Sequence, residues 1–122
     1  MAGTITVNVS ATIVNSPLRD SFSPGAISVT QTTMGRHSPI TVVGTSEEDL
    51  SFGDITTPGW VFIQNLDSTN FVTYGPKSAG NMVAFGKIKA GEVACLRIDP
   101  TITWRWKADT ASVKVDTRVF EN

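Results

Sequence analysis

Within residues 4–14 apolar and polar side chains alternate from Thr4 through Ile13. Ile5, Val7, Val9, Ala11 and Ile13 share one parity; Thr4, Thr6, Asn8, Ser10 and Thr12 share the other. Successive residues of a strand point to opposite faces, so this period of two predicts a half-buried β-strand. The end of the chain repeats the pattern. Ile102, Trp104, Trp106 and Ala108 oppose Thr103, Arg105 and Lys107; then Ala111, Val113, Val115 and Val119 oppose Ser112, Lys114, Asp116 and Arg118. The two segments meet at Asp109-Thr110 and predict a hairpin with an apolar face and a charged one.

Further strands are expected near 26–32, 39–44, 59–65, 70–75, 81–88 and 93–98, beside those at 102–108 and 111–120. Gly and Pro punctuate them about every ten residues, the spacing of an all-β sandwich or small barrel. The expectation is one domain over 1–122, an antiparallel β-sandwich of about eight or nine strands, jelly-roll-like in form. No stretch carries a 3.6 period, although Ser46 ahead of Glu47, Glu48 and Asp49 predicts at most one helical turn within 45–52. Trp60-Val61-Phe62-Ile63 is apolar at both parities, which predicts a strand covered on both faces at the centre of the core. Trp60, Phe62, Trp104 and Trp106 are therefore expected to be buried. The segment 70–75 is expected to pair back on 59–65 across the turn at Asn65-Leu66-Asp67.

Between Asn15 and Gly25 the alternation fails, and Pro17, Pro24 and Gly25 predict a long loop. Its apolar residues Pro17, Leu18, Phe22 and Pro24 are the candidate interface, beside an N-terminal strand expected at a sheet edge. Phe22 reads as an anchor onto the body or as a contact for another chain.

Composition narrows the function. Ten basic and eleven acidic side chains are interspersed in 122 residues, for a net charge of −1, so no broad field draws the chain to nucleic acid. No apolar run approaches the ~20 residues of a membrane span, and no basic stretch followed by an apolar core predicts export. Cys95 is the single cysteine, which excludes an internal disulfide and suits a reducing compartment. A nucleophile would need a base beside it, and only His37 and Cys95 are available. His37 lies in the turn-like Met34-Gly35-Arg36-His37-Ser38-Pro39, and Cys95 reads as a buried, inert strand thiol. Glu47, Glu48, Asp49 and Asp54 form one acidic loop, best read as solvated, with Ca²⁺ ligation as the less favoured alternative. Arg105 and Lys107 alternate with Trp104 and Trp106 on opposite faces, so no basic-aromatic platform for nucleic acid is expected there. No catalytic residue, cofactor or metal site is assigned.

Four segments resemble small virion proteins of tailed bacteriophages, and together they cover about half the chain. They are Gly59-Trp60-Val61-Phe62-Ile63-Gln64-Asn65-Leu66-Asp67, Asn70-Phe71-Val72-Thr73-Tyr74-Gly75, Lys89-Ala90-Gly91-Glu92-Val93-Ala94 and Lys107-Ala108-Asp109-Thr110-Ala111. The resemblance implies a compact β-sandwich without enzymatic activity, a capsid decoration protein or otherwise a tail or neck component. It also implies assembly in the host cytoplasm into the virion, as a homo-oligomer contacting other virion proteins, with no nucleic acid or membrane partner. The rival reading is a carbohydrate- or receptor-binding β-sandwich, whose sign is exposed aromatic rings on one face.

Overall fold

The alternating segments fold largely as strand in the computed structural model, which describes residues 3–31 and 35–122 and holds no helix among them. Thr32, at the end of the expected 26–32 strand, and Met34, at the start of the turn before His37, lie outside the described residues. The chain divides between Gln31 and Gly35 into two compact units.

The first unit is a two-stranded antiparallel ribbon, here named the arm. Strand β1 (Gly3–Asn8) pairs antiparallel with β4 (Ala26–Gln31), and β2 (Ala11–Asn15) pairs with β3 (Leu18–Phe22). The 4–14 alternation is therefore interrupted, and the stretch expected to be a loop is largely a hairpin. The interruption has a local cause. Between the pairs Asn8↔Ala26 and Ala11↔Phe22, Val9 and Ser10 oppose Ser23, Pro24 and Gly25, so the second arm carries an extra residue, as at a β-bulge. Pro24 has no N–H to give to a ladder, and Gly25 takes a φ of +85° that side chains avoid. Ile5 and Val7 are buried, whereas every residue of β2 and β3 is exposed.

The second unit has two five-stranded antiparallel sheets. One runs β6 (Ile40–Val43), β14 (Val113–Glu121), β8 (Pro58–Asn65), β12 (Val93–Arg97), with short β5 (Arg36–His37) also on β14. The other runs β7 (Glu48–Asp49), β13 (Trp104–Ala108), β9 (Val72–Ser78), β11 (Gly86–Ile88), with short β10 (Asn81–Met82) also on β9. Their inner faces share one core. Val43, Val61, Ile63, Val113, Val115 and Val119 come from the first sheet and Val72, Tyr74, Ile88, Trp106 and Ala108 from the second. Each fully buried Val or Ile contributes about 1.5–3 kcal/mol of transfer free energy.

Several expectations change. Fourteen strands form among the described residues instead of eight or nine, because the arm holds four where two were expected and the two-residue strands β5, β7 and β10 are additional. The 45–52 region holds β7 instead of a helical turn, its backbone paired to Arg105 and Trp106. The segments 59–65 and 70–75 are not a hairpin, and neither are 102–108 and 111–120: each pair is divided between the two sheets. Alternation states which side chains face the core, and both sheets of a sandwich face it, so alternation alone does not tell a hairpin from a corner. The 81–88 strand is broken at 83–85, where the Val83 carbonyl lies so close to Gly75 that a Cβ there would overlap it.

One corner explains a motif of the sequence. Asn65 is 1% exposed, and its Nδ2 donates to the carbonyls of Asn70 at 2.9 Å and Ile88 at 3.0 Å. Its Oδ1 accepts the Asp67 N–H at 2.8 Å. Asp67 Oδ1 in turn accepts the N–H groups of Thr69 at 2.8 Å and Asn70 at 2.7 Å, which lowers its pKa below the usual aspartate value. The Asn-Leu-Asp sequence thus ties the β8–β9 corner to β11 through a buried, fully engaged amide.

Candidate functional site

The candidate interface residues sit on the outer hairpin of the arm. Pro17 follows a cis peptide in the turn, Leu18 opens β3, Phe22 closes it, and Pro24 lies at the bulge. The register places Ala11, Ile13, Leu18 and Phe22 on one face of this hairpin, with Asp20 opposite Ile13 and Asn15 opposite Leu18. Ile13 is 50% exposed, Leu18 56% and Phe22 61%. Phe22 is thus left uncovered by its own hairpin. A two-stranded ribbon is marginally stable alone, and exposed apolar side chains grouped on one face of it suit a partner.

A second apolar surface was missed by sequence reasoning. Val61 and Ile63 take the core face of β8, so Trp60 and Phe62 point away from the core and are half-buried. Of the four aromatic residues expected to be buried, only Trp106 is; Trp104 packs half-buried against the same core. The apolar run at 60–63 gave no parity signal, and ring size was the wrong arbiter: slim β-branched residues fill the space between the sheets. On the outer face Trp60 and Phe62 stack with centroids 6.2 Å apart, and Phe120 meets Phe62 edge-on at 5.8 Å. The Arg97 guanidinium lies 5.8 Å from the Trp60 ring, a cation–π distance. Arg97, Trp60 and Phe120 form one cross-strand row, and Cys95, Phe62 and Arg118 the next.

Strand β12 ends this sheet. Ile98 donates to the Gly59 carbonyl at 2.9 Å and Glu92 accepts from Asn65 at 3.0 Å, so Ala94 and Leu96 are the residues that bond toward β8. The backbone groups of Val93, Cys95 and Arg97 point to the open edge, and Val93 is 71% exposed.

Cys95 is exposed, not buried, because its parity matches Phe62 on the outer face. Partial desolvation still pushes its thiol above the ordinary pKa, which disfavours a reactive thiolate. His37 pairs with Val119 on β14, three strand positions from β12 and on the parity opposite to Cys95. Three spacings are roughly 14 Å, beyond the reach of a nucleophile–base hydrogen bond. The acidic segment is partly neutralised. Arg105 Nε binds Asp49 at 2.8 Å and Arg105 Nη1 binds Glu47 at 3.3 Å, while Lys77 lies 3.8 Å from Asp49. The bond to Asp49 raises the Arg105 pKa, and the Met82 N–H on Glu47 lowers that of the acid. Among the described residues no three potential ligands gather for a metal ion.

Compared with known family models, characterised proteins and solved structures, the chain matches none.

Proposed function

We propose that this chain is a non-enzymatic structural component of a tailed-phage virion, first a capsid decoration protein and otherwise a tail or neck part. It is assembled in the host cytoplasm and contacts its own copies and other virion proteins. The observation that carries the reading is the arm: an outer hairpin whose apolar residues Ile13, Leu18 and Phe22 are at least half exposed. Such a ribbon gains order by packing on a neighbour, and the open β12 edge offers a complementary backbone surface. The strand order adds support. β6–β14–β8–β12 opposite β7–β13–β9–β11 supports a jelly-roll reading, an architecture frequent in capsid and lectin domains.

Leu18→Asp combined with Phe22→Asp tests the reading, since both side chains are exposed and the second unit keeps its core. The double variant is expected to lose self-association or capsid binding while its strand-rich circular dichroism persists. Assembly that survives both charges counts against the arm.

A second reading has one observation in its favour. The Trp60–Phe62–Phe120 surface with Arg97 suits the stacking of a saccharide against rings. Binding to a glycan array that is abolished by Trp60→Ala would favour it.

A further inference from the structure

Where β6 and β14 meet β7 and β13, the second unit encloses a cleft of about 170 Å³. A water molecule occupies roughly 30 Å³, so the space exceeds what one solvent molecule needs. Thr117 points into it from β14. Its residue is 2% exposed, yet Oγ1 has no hydrogen-bond partner among the described residues. Three other buried polar atoms, on Trp60, Trp104 and Asp109, also lack partners, but none of those residues borders the cleft. The indole of Trp106, 4% exposed, forms a wall. Glu48 pairs with Trp106 in the β7–β13 register and so shares its inward parity. Its Oε1 accepts the Gly44 N–H at 3.1 Å, which holds the carboxylate in place and leaves the second oxygen open. Asp49, though it borders the cleft, has the other parity and is engaged by Arg105. Thr41 and Ser51 add hydroxyls, and no lining residue is cationic.

The site therefore offers one fixed anionic acceptor, an inner hydroxyl that needs a partner and an aromatic wall. An anion would meet Glu48 with no cationic lining residue to offset the repulsion. A planar, donor-rich cation satisfies all three elements, donating to the carboxylate and the hydroxyl while lying over the ring. We infer that the cleft containing Thr117, Glu48 and Trp106 binds an organic cation, a guanidinium or alkylammonium group. The site stands independently of the arm. Two sources share this chemistry: a free small cation, or a side chain such as Arg19, which lies exposed on β3 and makes no ion pair among the described residues.

The test is a titration of the full chain with methylguanidinium, followed through the Trp106 indole N–H and the Thr117 methyl by NMR. Saturable shifts confined to these groups are expected. Glu48→Gln, an exposed position, should weaken binding about tenfold by turning a charge-assisted bond into a neutral one. Thr117→Val should weaken it severalfold without loss of melting temperature, since a buried unpartnered hydroxyl is removed. If Arg19→Gln also weakens self-association and methylguanidinium mimics that effect, the arm of a second copy is the source. If Arg19→Gln changes nothing while the titration saturates, a free cation is the ligand. Absence of saturation, unchanged affinity in both cleft variants, or saturation by glucose instead of methylguanidinium would overturn the inference.

Discussion

Replacing Asn65 with leucine removes polar chemistry from the core at little change in volume, and the structure sets the size of the effect. The substitution strips the donor from the Ile88 carbonyl in a buried bond, the donor from the Asn70 carbonyl and the acceptor from the Asp67 N–H, both partly buried. A buried group left unsatisfied costs about 1–3 kcal/mol, and each of the two nearer solvent roughly 0.5–1.5 kcal/mol. The added apolar burial returns about 1 kcal/mol. The net loss is about 1–5 kcal/mol, or roughly 5–25 °C in Tm for a domain of this size. Urea unfolding followed by tryptophan fluorescence measures it, as a lower midpoint at an unchanged slope. The corner at 65–70 should also show faster amide exchange at Thr69 and Asn70, because Asp67 loses the bond that positions it. A variant within about 0.5 kcal/mol of the parent would refute the claim that this amide anchors the corner.

The face assignment of β8 is checked by a pair of truncations: Ile63→Ala should cost about 2–5 kcal/mol and Phe62→Ala about half as much, since Phe62 lies half-buried on the outer face. Equal losses would show that both faces are covered. The pH dependence follows from three acids whose folded pKa values are lowered: Asp67 by the Asn70 and Thr69 N–H groups, Asp99 by the Thr101 hydroxyl and N–H, and Glu47 by the Met82 N–H. Lowered values mean that their contribution is complete above the unfolded range near pH 4 and disappears as pH falls through the folded values, so stability should drop on acidification below about pH 4. Asp67→Asn should flatten part of that acid limb, and an unchanged limb would remove Asp67 from the account.

Much of the fold was legible because alternation is a direct print of burial. Within the strands, the parities of Trp104, Trp106 and Ala108, and of Val113, Val115 and Val119, named side chains that meet the core, whereas Ile102 and Ala111, on the same parities just outside the strands, are exposed. Pairing was not legible there, since strands on opposite sheets carry the same print. At 60–63 the run of apolar residues concealed which parity faces inward, and only the register with Arg97, Arg118 and Phe120 reveals that Trp60 and Phe62 face out. The interface residues Leu18 and Phe22 were singled out for apolarity within a segment expected to be irregular; both are exposed, and the segment is a hairpin. The cleft left no sequence signal. It joins Thr117 to Glu48 and Trp106 across two sheets, and a threonine in an otherwise valine-lined strand reads as one more β-former.

The most direct test of assembly through the arm is the solution mass of the intact chain, measured by sedimentation equilibrium over a range of concentrations beside the Leu18→Asp, Phe22→Asp variant. The account predicts a defined oligomer for the intact chain and a monomer for the variant, both with the same strand content. An intact chain that stays monomeric at its highest soluble concentration and does not bind capsids, or a variant whose mass matches the intact oligomer, would contradict it.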